Sequence, residues 1–126
     1  MTDKQPVVLV ADDEEDIKVV LRMFLEAVGY EVVTAFDGLD ALEQIKSAKP
    51  DVVLMDIMMP VIDGIEVVRQ MKATPGIRDI PVVMLTAAAQ SDMVERAIQA
   101  GAADYIVKPF EPETVQRAIE KVLGTA

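Results

Sequence analysis

The sequence predicts one α/β domain, a doubly wound parallel sheet with helices on both faces. Five short apolar runs, VVLVA (Val7 to Ala11), VVTA (Val32 to Ala35), VVLM (Val52 to Met55), VVML (Val82 to Leu85) and YIV (Tyr105 to Val107), are rich in valine and lack polar alternation. Parallel strands covered on both faces have this pattern. Amphipathic stretches of helical period separate the runs, and such alternation places the strands in one sheet with right-handed crossovers. A chain of 126 residues is most economically one domain, burying about two-thirds of the surface its unfolded form exposes.

The elements follow in order. After the first run, Ile17, Val20, Leu21, Phe24, Leu25 and Val28 fall at helical spacing and Gly29 ends the helix, glycine being the favoured residue just past a helix end. The second run leads into a helix over Leu39 to Ala48, and the third into one over Ile65 to Met71. Ala73-Thr74-Pro75-Gly76 then forms the most turn-like connection of the chain. The fourth run precedes a helix over Met93 to Ala100, closed by Gly101, and the fifth precedes one over Val115 to Leu123. No Gly/Ser linker, low-complexity tract or repeat interrupts the series.

Composition excludes several functions. With 22 acidic and 12 basic residues the formal net charge is -10, so direct binding to nucleic acid or an anionic membrane, which relies on basic patches, is not expected. The chain has no cysteine, which removes disulfides and thiolate metal sites and fits a reducing cytosol; a cytoplasmic location is expected. No apolar run approaches the roughly 18 residues of a membrane span, and MTDKQP has neither the charge nor the apolar core of a signal peptide. Neither G-x-G-x-x-G nor G-x-x-x-x-G-K-[ST] occurs, which disfavours a nucleotide-binding module.

In open sheets of this class ligands bind beyond the carboxyl ends of the strands. The first strand ends in Asp12-Asp13, with Glu14-Glu15 behind, the third in Asp56, the fourth in Thr86 and the fifth in Lys108-Pro109. Taken singly, each has an ordinary explanation. Asp12 to Asp16 suits the positive end of a helix dipole, Asp56 and Thr86 suit turns or caps, and Lys108 suits solvent. Together they put three carboxylates and an ammonium at one sheet edge. Clustered carboxylates repel one another unless a cation compensates. Mg2+ (or Mn2+) does so with oxygen ligands and commonly joins one or two carboxylates to a phosphate. Asp13, Asp56 and a backbone carbonyl just past Asp56 supply part of such a shell.

The segments VADDE (Val10 to Glu14), VLMDIMMPVIDG (Val53 to Gly64), MLTA (Met84 to Ala87) and DYIVKPF (Asp104 to Phe110) closely resemble the receiver domain of two-component response regulators. The resemblance covers essentially the whole chain. It implies a flavodoxin-like (βα)5 sandwich, a five-stranded parallel sheet in the order 2-1-3-4-5, and a cis Lys108-Pro109 bond. Residues 1–126 are expected to form the receiver domain, with no effector domain in this chain.

The resemblance also implies roles. Asp56 is the phosphoacceptor, served by a sensor histidine kinase or histidine phosphotransfer protein. Asp13 binds Mg2+ directly, Asp12 through water, and Met58 through its backbone carbonyl. Lys108 pairs with Asp56 and then with the phosphoryl group, Thr86 donates its hydroxyl to that group, and Tyr105 is the switch aromatic that follows Thr86 inward. Met58 and Ala88 flank the phosphoryl site and are expected to tune hydrolysis. Output goes to a downstream protein through the fourth helix (about Asp92 to Ala100), the fifth strand and the fifth helix (about Glu113 to Leu123), with Gln90, Arg96, Gln99, Tyr105 and Gln116 as exposed candidates and a phosphorylation-dependent homodimer as one form.

Such a protein catalyses only its own phosphorylation and dephosphorylation. Two alternatives stand beside it. One is a receiver-like scaffold independent of phosphorylation. The other is a phosphohydrolase similar to the haloacid dehalogenases, which carry Asp-x-Asp after the first strand and a substrate-binding cap; here Ile57-Met58 follow Asp56 and no cap segment exists.

Overall fold

A computed structural model describes residues 5–87 and 91–124. Its elements alternate throughout: β1 (Val7–Ala11), α1 (Glu15–Ala27), β2 (Glu31–Ala35), α2 (Gly38–Ala48), β3 (Val52–Asp56), α3 (Gly64–Lys72), β4 (Val82–Ala87), α4 (Ser91–Ala100), β5 (Asp104–Lys108) and α5 (Pro112–Leu123). The strands form one parallel sheet in the order β2-β1-β3-β4-β5. This is the flavodoxin-like arrangement, and the order reverses between β1 and β3.

Side chains of a strand point alternately to opposite faces, so the runs of β1 to β4 feed two cores, while β5 buries Ile106 in one of them. Leu9, Val53, Met55, Val82 and Met84 pack with Leu42 and Ile45 of α2, Val68 and Met71 of α3 and Ala97 of α4. Val8, Val10, Val52, Leu54, Val83 and Leu85 pack on the other face with Leu21 and Leu25 of α1 and Val115 and Ile119 of α5. Each fully buried aliphatic side chain contributes about 1.5–3 kcal/mol against exposure. All five residues of central β3 are buried, which makes its last residue a fixed point of the molecule.

The strands run further than their apolar runs. β3 continues through Asp56, whose register partner is Leu85, and β4 continues through Ala87, paired with Lys108. Backbone pairing does not stop where the side chains turn polar. The helices also begin before their apolar pattern: Asp37 caps α2 by accepting from the Asp40 N–H, and Asp63 caps α3 from the Glu66 N–H, at 2.8 Å each.

The apolar stripe expected on α1 is partly displaced. Leu21 and Leu25 are buried, whereas Val20 and Val28 are exposed and Lys18 is buried instead, its ammonium 3.2 Å from Glu15. A lysine stem covers apolar surface while its charge finds a partner. Gly29 and Gly101 sit just past α1 and α4 with φ of 107° and 124°, conformations in which a side chain is disfavoured. On the surface expected to carry output, Arg96, Gln99 and Tyr105 are exposed, but Gln116 is half-buried and donates to Glu120. Ala88 and Gln90 lie outside the described residues. No described helix is long and apolar enough to cross a membrane.

Candidate functional site

The carboxyl ends of β1, β3, β4 and β5 converge. Asp12 follows β1 directly and is fully buried. Its backbone N–H donates to the Ala35 carbonyl at 3.3 Å, and its Oδ1 accepts the Glu14 N–H at 2.8 Å. Asp13 is exposed. Asp56 ends β3 with only 7% of its surface exposed, and its Oδ1 accepts the Met58 N–H at 3.1 Å. Tight packing behind the loop holds this geometry: Gly64 donates to the Ile57 carbonyl at 2.8 Å, and a Cβ on Gly64 would lie 2.4 Å from the Asp56 carbonyl oxygen.

Lys108, the last residue of β5, reaches across β4. Its Nζ donates to Asp12 Oδ2 at 3.0 Å, Glu14 Oε1 at 3.1 Å and Asp56 Oδ2 at 3.2 Å. One ammonium thus serves three carboxylates from two segments, the β1–α1 loop and the end of β3. Lys108 follows from a cis peptide into Pro109, as the resemblance implies.

Burial, and then the charge of Asp12, push the Asp56 carboxyl up from 3.8 to about 6, although Lys108 and the Met58 N–H favour its ionised form. Burial pulls the Lys108 ammonium down, but the hydrogen bond it donates to Asp12 and the charges of Asp56 and Asp12 outweigh it and raise it. The site remains short of positive charge. Asp12, Asp13 and Asp56 each place a carboxylate oxygen within 4.8 Å of the others. An all-oxygen donor set of this size, with excess negative charge, fits a hard divalent cation.

Thr86 is fully buried near the end of β4, one residue past the Leu85 that pairs with Asp56, and its hydroxyl donates to the Ala87 carbonyl at 3.3 Å. Tyr105 lies in the sheet-edge strand β5, half-exposed, with Met84 as register partner. The Met58 side chain is exposed. The structure therefore brings together Asp12, Asp13, Asp56 and Lys108, sets Thr86 in the strand between β3 and β5, and leaves Tyr105 outward.

A family model described as response regulator receiver domain matches residues 8–120. The chain belongs to this family. It is a receiver domain of two-component signalling, and receiver domains are signalling proteins, not classical enzymes. Over 116 residues it is 40% identical to the alkaline phosphatase synthesis transcriptional regulatory protein PhoP of Bacillus subtilis (strain 168), with 92% of this chain and 48% of that protein covered. It is 41% identical over 117 residues to the chemotaxis protein CheY of Thermotoga maritima, covering 91% of this chain and 95% of that one. The chain thus spans about half the length of the transcriptional regulator and nearly all of the chemotaxis protein. Among solved structures, the receiver domain of sensor histidine kinase PA1611 from Pseudomonas aeruginosa PAO1 superimposes with a TM-score of 0.88 at 31% identity, covering 96% of this chain and 99% of that one; it carries a magnesium ion coordinated in its active-site cleft.

The receiver domain holds one site residue that sequence reasoning left in the background. Glu14 looks like part of an acidic helix cap, yet as the residue preceding α1 it makes no side-chain capping bond. Its carboxylate goes to Lys108. Only the 94-residue separation that the fold closes makes this pair visible.

Proposed function

We propose that this chain is a phosphorylation-activated switch in which Asp56 accepts a phosphoryl group from a sensor histidine kinase or a histidine phosphotransfer protein. The observation that carries the reading is the Lys108 ammonium bound to Asp56 Oδ2 beside Asp12 and Asp13. Asp56 is a carboxylate nucleophile held on a rigid strand, and such carboxylates form aspartyl phosphates. An Asp56 oxygen forms a bond to phosphorus as the bond from phosphorus to the donor nitrogen breaks, leaving an acyl phosphate on Asp56 and the proton-accepting imidazole on the partner. Asp13 and the Met58 carbonyl hold Mg2+ (or Mn2+) together with Asp56, and Asp12 holds it through water; when bound, the ion neutralises charge developing on the phosphoryl oxygens. The relative with magnesium in its cleft supports that assignment.

Lys108 releases Asp56 and pairs with the phosphoryl group, a task suited to a compact ammonium on a flexible stem. The Thr86 hydroxyl turns from the Ala87 carbonyl to a phosphoryl oxygen. Tyr105 follows inward, and the surface of α4, β5 and α5 changes for a downstream protein or a second copy of the chain. Residues 1–126 act in this reading as the receiver unit, in the cytoplasm. In this reading the chain catalyses its own phosphorylation and dephosphorylation.

Incubation with acetyl phosphate and Mg2+, followed by intact mass measurement, tests the proposal. One phosphoryl adduct is expected, absent in Asp56→Asn and absent when the metal is chelated. An adduct that persists in Asp56→Asn overturns the assignment.

A further inference from the structure

We propose that Glu14 is a positioning residue that restrains Lys108: it holds the ammonium at the rim of the site and competes with the phosphoryl group for it. The inference rests on Asp56 being the phosphoacceptor.

Three observations place Glu14 in this role. Its Oε1 lies 3.1 Å from Lys108 Nζ, as close as Asp12 at 3.0 Å and Asp56 at 3.2 Å. Its backbone is pinned, since the Glu14 N–H donates to buried Asp12 Oδ1 at 2.8 Å in a two-residue turn. And although Glu14 stands at the position preceding α1, its carboxylate does not cap the helix. The side chain is committed to the site, not to the helix.

The three carboxylates differ in what happens when a phosphoryl group arrives. Asp56 becomes an acyl phosphate, and its negative charge passes to the phosphoryl oxygens. Asp12 turns to the divalent ion. Glu14 is bound to neither, so it alone keeps an undiminished charge beside Lys108 throughout. Glu14 and Lys108 also share the wall of a cleft of about 500 Å³ between α1 and the segment after β5, where Ile17, Val20 and Phe110 supply apolar surface. Glu14 is thus the one of the three carboxylates that holds the ammonium from the side of this cleft.

The test measures the rate of phosphorylation by acetyl phosphate in Mg2+ for the whole chain and three variants. Glu14→Gln is expected to raise the rate roughly two- to fivefold, the factor that an exposed ion pair represents. Glu14→Asp keeps the charge but shortens the reach, and is expected to accelerate similarly. Glu15→Gln, which removes a neighbouring charge whose contact is Lys18, is expected to match wild type. In metal-free protein, the Lys108 ammonium resonance in 15N-lysine-labelled samples should shift in Glu14→Gln and Glu14→Asp but not in Glu15→Gln.

Acceleration in Glu14→Gln and Glu15→Gln alike, or wild-type behaviour in Glu14→Asp, makes the effect one of general charge and overturns the positioning role. Unchanged rate and resonance in Glu14→Gln overturn it as well. If wild type accepts no phosphoryl group while the resonance shifts as expected, the phosphoacceptor reading fails and the contact stands.

Discussion

The fold resists ionising Asp56, and this has a measurable sign. A carboxyl raised from 3.8 to about 6 by burial and by Asp12 binds its proton more tightly folded than unfolded. The stability it contributes is complete below about pH 3.8 and is lost as pH rises through about 6. At pH 7 without divalent ions, Asp56→Asn should therefore be more stable than wild type, by about 1–3 kcal/mol for a shift of this size. The difference should shrink steadily between pH 6 and pH 4. Urea denaturation in chelator across that range checks it; a constant difference would show that the gain comes from something other than ionisation. Added Mg2+ should narrow the gap at pH 7, because it stabilises only the folded form with an intact ligand set. The position of Asp56 was legible in the sequence, since a charge ending a buried run needs a reason. Its pairing was legible only in part: Lys108 and Asp56 were expected together, whereas Glu14 was hidden because a carboxylate before a helix has an equally good local use.

Among the elements, the loop from β3 to α3 is where local chemistry and fold disagree most. Val61 has φ of 74° and is 70% exposed, a left-handed conformation costly for a β-branched residue and not repaid by burial. Val61→Gly should stabilise the protein by about 0.5–1 kcal/mol, measured by denaturant midpoint, since relieved strain exceeds the added freedom of the unfolded chain. Gly64 behaves in the opposite way. A Cβ there meets the Asp56 carbonyl oxygen and the Met84 methyl, so Gly64→Ala should cost at least about 1–3 kcal/mol, as overpacking does. It should also slow phosphorylation at Asp56, because the backbone that carries the nucleophile must move. Neither effect can be read from sequence. Gly64 resembles any helix-start glycine, and Val61 resembles any exposed apolar residue, until the chain folds back on itself. Periodicity, by contrast, located every helix and strand, missing their ends by one to three residues where pairing and caps outlast the apolar pattern. On α1 the buried stripe runs through Lys18, Leu21 and Leu25, so Val20 and Val28 of the apolar pattern stay exposed.

At the scale of the whole molecule, the question is how a change at the sheet edge reaches α4, β5 and α5. The parallel order brings β4 between β3, which ends in Asp56, and β5, with Thr86 opposite Val107 and Met84 opposite Tyr105. Thr86 and Tyr105 are thus two register positions apart, not a directly paired couple. They are diagonal neighbours on adjacent strands, a spacing that an aromatic side chain can bridge. Phosphorylation brings roughly 1.5 to 2 negative charges and new acceptor oxygens, which can draw the Thr86 hydroxyl from the Ala87 carbonyl. Moving a two-state switch from 1:99 to 99:1 takes about 5.5 kcal/mol, more than one hydroxyl contact, at about 0.5–1.5 kcal/mol, provides. In the proposed switch, Thr86 would supply part of the shift and exchange of Lys108 a charge-assisted part. Thr86→Ala should accept phosphate at a near wild-type rate, yet its phosphorylated form should bind a downstream partner, or dimerise, several-fold more weakly. Titration calorimetry or sedimentation of the phosphorylated variant measures the loss. Full affinity in phosphorylated Thr86→Ala would place the whole switch on Lys108 and leave Tyr105 uncoupled from Thr86.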